Sequence, residues 1–111
     1  MNSLGFVEVE SVAAAVDCLD LMCKAADVNF ITWERKLGGR LVTIIVEGQI
    51  SAVKAAVDAA QAAAIKKPAA TAVIASPHSE TVRMVNLSAS RLKKAKPQNK
   101  SPKTEQYIQE V

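Results

Sequence analysis

Apolar and polar positions along the chain change period several times, and each change marks an element. Residues 4–10 alternate as a short strand, with Gly5 allowing close backbone approach. Ser11 suits the cap of a following helix, on which Val12, Ala15, Val16, Leu19, Cys23 and Ala26 form one stripe at spacings of three and four. Asp17, Asp20 and Lys24 lie off that stripe, and Asp20 and Lys24 form a favourable i,i+4 pair. Residues 28–37 and 41–47 are rich in β-branched or aromatic side chains and predict two more strands. Gly38 and Gly39 turn between them, so the two form a hairpin that Gly48 ends. A second amphipathic helix is predicted over 50–66, with Ile50, Val53, Val57, Ala60 and Ala64 inward. Lys66 and Lys67 suit its negative end, and Pro68 stops it. Residues 71–75 read as a fourth strand broken by Pro77, and 79–87 as a short third helix.

The order is β-α-β-β-α-β, the split arrangement of ferredoxin-like domains. It implies an α+β fold in which two helices cover one face of a four-stranded antiparallel sheet. From residue 88 the composition shifts to Lys, Ser, Gln, Asn and Pro. The expected organisation is therefore one domain over 1–87 and a basic, disordered tail over 88–111.

Composition adds two constraints. Half of the 111 residues are hydrophobic but only 4% are aromatic. Much of the apolar content is alanine, which packs into a thin core and favours a stable oligomer. The formal net charge of +3 is unevenly placed. Residues 1–87 carry a slight negative balance, whereas Arg91, Lys93, Lys94, Lys96, Lys100 and Lys103 face only Glu105 and Glu110 in the remainder. Cys18 and Cys23 are five apart on a helix and read as buried thiols in a reducing compartment. Neither a signal-like opening nor an apolar run of about 20 residues is found, so a cytoplasmic protein that does not engage membranes is expected.

Candidate chemistry is sparse. His78 is the sole histidine, which excludes a histidine pair for a metal or a proton relay. The cysteines lack CxxC spacing, and no glycine-rich phosphate loop or nucleophile elbow occurs. No cofactor, metal site or catalytic residue is expected. Asp17 and Asp20 could suggest paired carboxylates, but a solvated or interface face is the commoner meaning of that spacing. The basic tail lacks interleaved aromatics, so a tether is favoured over nucleic-acid binding. Phe30 and Trp33 read as core or interface packing.

Several segments, taken in order, resemble bacterial microcompartment shell proteins of the BMC-domain family. They are Leu4-Gly5-Phe6-Val7-Glu8, Ala14-Ala15-Val16-Asp17, Met22-Cys23-Lys24-Ala25-Ala26-Asp27-Val28, the hairpin from Lys36 through Gly48, Ala52-Val53-Lys54-Ala55-Ala56-Val57-Asp58-Ala59, and Pro77-His78. The resemblance implies a homohexameric tile with a central pore. Tiles join laterally to other shell proteins, and encapsulated enzymes are a further candidate partner. By the same resemblance, Lys36, Leu37, Gly38, Gly39 and Arg40 line the pore, and Lys24, Asp27, Ser76 and His78 lie at the tile edge. Ser76 stands where the family usually has an arginine. The strand before the pore loop is expected to be one residue longer than usual, within 32–36. Two other functions remain open on the residues alone. One is a ferredoxin-like regulatory protein that binds a phosphate at Gly38-Gly39, and the other is nucleic-acid binding through the tail.

Overall fold

The computed structural model describes residues 2–35 and 41–94, the last two by their backbone. The loop from Lys36 to Arg40 and the segment 95–111 lie outside the described residues. The elements are β1 (Ser3–Val9), α1 (Val12–Ala25), β2 (Asn29–Arg35), β3 (Val42–Gly48), α2 (Ile50–Ala63), β4 (Ala70–Ile74) and α3 (Ser79–Lys94). The four strands form one antiparallel sheet in the order β2-β3-β1-β4, as the ferredoxin-like reading requires.

Helices α1 and α2 cover one face. Val7 and Val9 of β1 and Val42, Ile44 and Val46 of β3 meet Ala15, Cys18, Met22, Val53, Val57 and Ala60 in the main core. Gly5 is required here by close approach. A Cβ added to it would lie 2.8 Å from Val53 Cγ1 and 3.2 Å from Val46 Cγ2. The start of α1 is capped as expected, with the Ala14 amide donating to Ser11 Oγ at 3.1 Å.

The inward stripe of α1 is rotated from the expected one. Ala14, Ala15, Cys18, Leu19 and Met22 are buried, whereas Val16 and Cys23 are exposed. Both stripes obey the three-and-four rule and share Ala15 and Leu19. The observed one brings the longer Met22 into the core, and only one of the two cysteines is a buried thiol. Helix α2 ends at Ala63 rather than at residue 66. Lys67 still reaches its last turn and donates to the Gln61 carbonyl at 2.9 Å, while Lys66 pairs with Glu10 at 2.8 Å.

The other face of the sheet carries α3. Leu4, Ile45 and Val85 form a second cluster, with Phe6 and Ile31 packed against it. A bulge makes room for this contact. Phe30 pairs with Val46 and Thr32 with Ile45, so Ile31 is an extra residue on β2. Ile31 and Thr32 consequently both serve the α3 face. The extra residue sits just before the stretch where a lengthened strand was expected.

Helix α3 runs through the expected domain boundary at 87/88 and continues to Lys94. Ser88 is buried, and its hydroxyl lies 3.0 Å from Thr32 Oγ1. Residues 88–94 therefore belong to a packed helix rather than to a disordered tail.

Candidate functional site

The strand register sorts the candidate residues to opposite ends of the sheet. At one end Asn29, Glu47, Leu4 and Ile74 stand in a row across the four strands. Lys24 and Asp27 precede Asn29 in the chain, and Ser76 and His78 follow Ile74. All four share that end and all are exposed. At the other end Arg35 pairs with Val42, which pairs with Val9. The glycine loop of residues 36–40 connects β2 to β3 there. Seven-residue strands separate the two ends by about 20 Å.

At the first end, Lys24 occupies the last turn of α1, where a cation complements the helix dipole. Its ammonium bonds Asp20 at 2.8 Å. That hydrogen bond, reinforced by the carboxylate's charge, pushes the Lys24 pKa above its ordinary value. His78 Nδ1 accepts the Glu80 amide at 3.0 Å, which places it at the start of α3 as a cap. Ser3 Oγ donates to the Ala75 carbonyl at 2.8 Å and ties the Ser76 segment to β1.

Asp17 and Asp20 do not converge. Asp17 Oδ2 accepts the Ile65 amide at 3.1 Å, and Asp20 is held by Lys24. Among the described residues no group of three or more His, Cys, Asp or Glu could hold a metal ion. No described helix is long and apolar enough to cross a membrane. Trp33 packs against the main core beneath the Arg35 guanidinium, 5.9 Å from the ring centroid, and its buried Nε1 has no acceptor among the described residues.

Sequence reasoning missed one constellation. Glu34 and Thr32 project from β2 toward α3, where Ser88 donates a hydrogen bond to the Glu34 carboxylate. The Ser88 hydroxyl also lies 3.0 Å from Thr32 Oγ1. Glu34 and Ser88 border a groove of about 310 Å³ lined chiefly by Phe6, Ile45, Met84, Val85 and Leu87, with Arg91 also on its wall. The available signal was the continued spacing of Val82, Val85, Ala89 and Leu92, which carries the helix beyond residue 87.

Comparison with known proteins agrees with this architecture. The BMC domain family model matches residues 3–77. A microcompartment shell protein of Citrobacter freundii, PduA, is 41% identical over 86 residues, covering 76% of this chain and 91% of its own. The shell protein EutM of Escherichia coli is 38% identical over 82 residues, covering 72% of this chain and 84% of its own. A crystal structure of a microcompartment protein from Desulfitobacterium hafniense superposes with a TM-score of 0.67 at 24% identity, over 79% of this chain and 48% of that one, and supports the fold. The chain belongs to the BMC-domain family of bacterial microcompartment shell proteins. Its role is structural, and its place is the microcompartment within the bacterial cytoplasm.

Proposed function

We propose that six copies of this chain assemble into a flat tile with the glycine loops around a central opening. The observation that supports this reading is the strand register, in which the Arg35–Val42 pair next to residues 36–40 in the chain and the Asn29–Glu47–Leu4–Ile74 row near Lys24, Asp27, Ser76 and His78 lie at opposite ends of one sheet. A ring of protomers pointing loops inward presents the second group outward for lateral contact with neighbouring tiles. Closed cyclic symmetry suits such a repeated patch, and adjacent glycines let six backbones approach one axis. Lys36 and Arg40 flank those glycines and favour small anionic or polar metabolites in the opening. The tile itself performs no catalysis in this reading. Residues 1–94 are the assembling unit, and 95–111 are an appendage to it.

Sedimentation equilibrium tests the assembly, and negative-stain microscopy of concentrated protein tests the tiling. A hexamer that forms sheets is expected. A stable monomer at micromolar concentration overturns the reading, and a trimer stabilised by phosphate supports a ligand-binding protein instead.

A further inference from the structure

We propose that residues 105–111 of this chain dock in the groove between α3 and the sheet of the same subunit. The groove is about 310 Å³ and mostly apolar, and two of its lining side chains, Met84 and Leu87, are 64% and 45% exposed. Large apolar side chains bordering one cavity leave an apolar patch open to water unless something covers it.

The sequence beyond α3 contains a segment that fits. Tyr107, Ile108 and Val111 are the large apolar residues after Lys94, and their spacing puts them on one face of a helical turn. Glu105 and Glu110 flank them, and these are the only acidic residues beyond residue 88. They complement Arg91, which stands on the groove wall with no ion pair among the described residues. Glu34, the acidic member of the wall, is already engaged by Ser88.

The reach is also right. Residues 95–104 supply a polar linker with two prolines and three lysines. A flexible linker of that length spans about 20 Å on average. The return path from Lys94 to Met84 along α3 is about 15 Å. Tethering at that distance gives a millimolar effective concentration, enough for a short apolar contact to be populated. Free partner segments with the same pattern of apolar and acidic residues must displace the resident one, so the segment acts as a competitor for the groove. The proposal needs one subunit only and stands apart from the hexamer reading.

Cysteine cross-linking of the full chain tests it. In a Cys23→Ser background, Thr81→Cys at the groove is paired with Gln109→Cys in the segment, or with Lys100→Cys in the linker as a control. Docking predicts a disulfide to position 109 about tenfold faster than to position 100. Adding Met84→Glu, an exposed position, is expected to remove that difference. Mixing ¹⁵N-labelled with unlabelled protein identifies the donor. Bonds within one isotope population support the proposal. Mixed-isotope bonds mean that a neighbouring copy fills the groove and overturn it, as do equal rates at positions 100 and 109. Sedimentation of the same samples reports the hexamer independently.

Discussion

Thr32 Oγ1 and Ser88 Oγ lie 3.0 Å apart, both residues buried, although they are 56 positions apart in the sequence. The contact fastens α3 to the edge strand β2 on the face away from the main core. It predicts an asymmetric mutational response. Ser88→Ala leaves the Thr32 and Glu34 groups without this partner and is expected to cost about 1–3 kcal/mol in chemical denaturation. Thr32→Val with Ser88→Ala removes both hydroxyls and is expected to cost less than the sum of the single changes. Truncation after Leu87 removes Ser88 and is expected to lower the melting temperature by more than truncation after Lys94.

The contrast between α3 and the remainder shows what was legible beforehand. Up to Pro77 the periods of strands and helices alternate clearly, Ser11, Gly48, Pro68 and Pro77 mark several of their boundaries, and their order defines the fold. The α3 boundary lies beyond the expected one because outward polar residues such as Asn86 and Ser90 give this helix a composition close to that of a disordered tail. The rotation of α1 was hidden for a related reason. In an alanine-rich helix two stripes satisfy the spacing, and only contact with α2 and the sheet chooses Cys18 and Met22 over Val16 and Cys23. The Thr32–Ser88–Glu34 cluster depends on a bulge at Ile31, which sequence spacing does not announce.

Gly5 is held between β3 and α2 with no space for a methyl group. The nearest obstacles are branched valine side chains with restricted rotamers, 2.8 Å away at Val53 and 3.3 Å at Val57. Gly5→Ala is expected to destabilise by about 1–3 kcal/mol through overpacking. Combining it with Val53→Ala is expected to recover part of the loss, as read from urea unfolding midpoints.

The two thiols should behave differently. Cys18 is fully buried, and desolvation, followed by the charge of Asp17, pushes its pKa above the ordinary value of 9.0. The neutral thiol is thus favoured in the folded state. Its contribution is fully present below the unfolded pKa and is lost as pH rises through the folded one. Above about pH 9 the stability of the Cys23→Ser protein should fall by up to about 1.4 kcal/mol per pH unit more than that of Cys18→Ala in the same background. A thiol reagent should modify exposed Cys23 at once and reach Cys18 only on unfolding.

Lys24 makes an exposed i,i+4 bond to Asp20, a kind of pair that adds little to stability. Lys24→Asp should therefore leave the fold and the hexamer intact while abolishing lateral sheets. Because its pKa is raised, Lys24 keeps its charge at mildly alkaline pH, and sheets of the unaltered protein should persist there. Electron micrographs at matched concentration distinguish the outcomes, and sheets formed by Lys24→Asp remove this residue from the tile edge.

Residues 36–40 join β2 to β3 in the chain next to the Arg35–Val42 pair. Lys36 and Arg40 thus lie within a few residues of the sheet end that the proposed hexamer turns toward its axis. Six-fold repetition puts up to about twelve cations around one opening, which lowers the barrier to anions most strongly at low ionic strength. Arg40→Glu should reverse the anion-to-cation preference of hexamers in a planar bilayer, and Gly39→Leu should reduce conductance for both. Raising the salt should shrink the selectivity of the unaltered protein while leaving its conductance order intact, because screening weakens a field but does not narrow an opening. An unchanged ion ratio in Arg40→Glu means that Arg40 does not set the field of the pore.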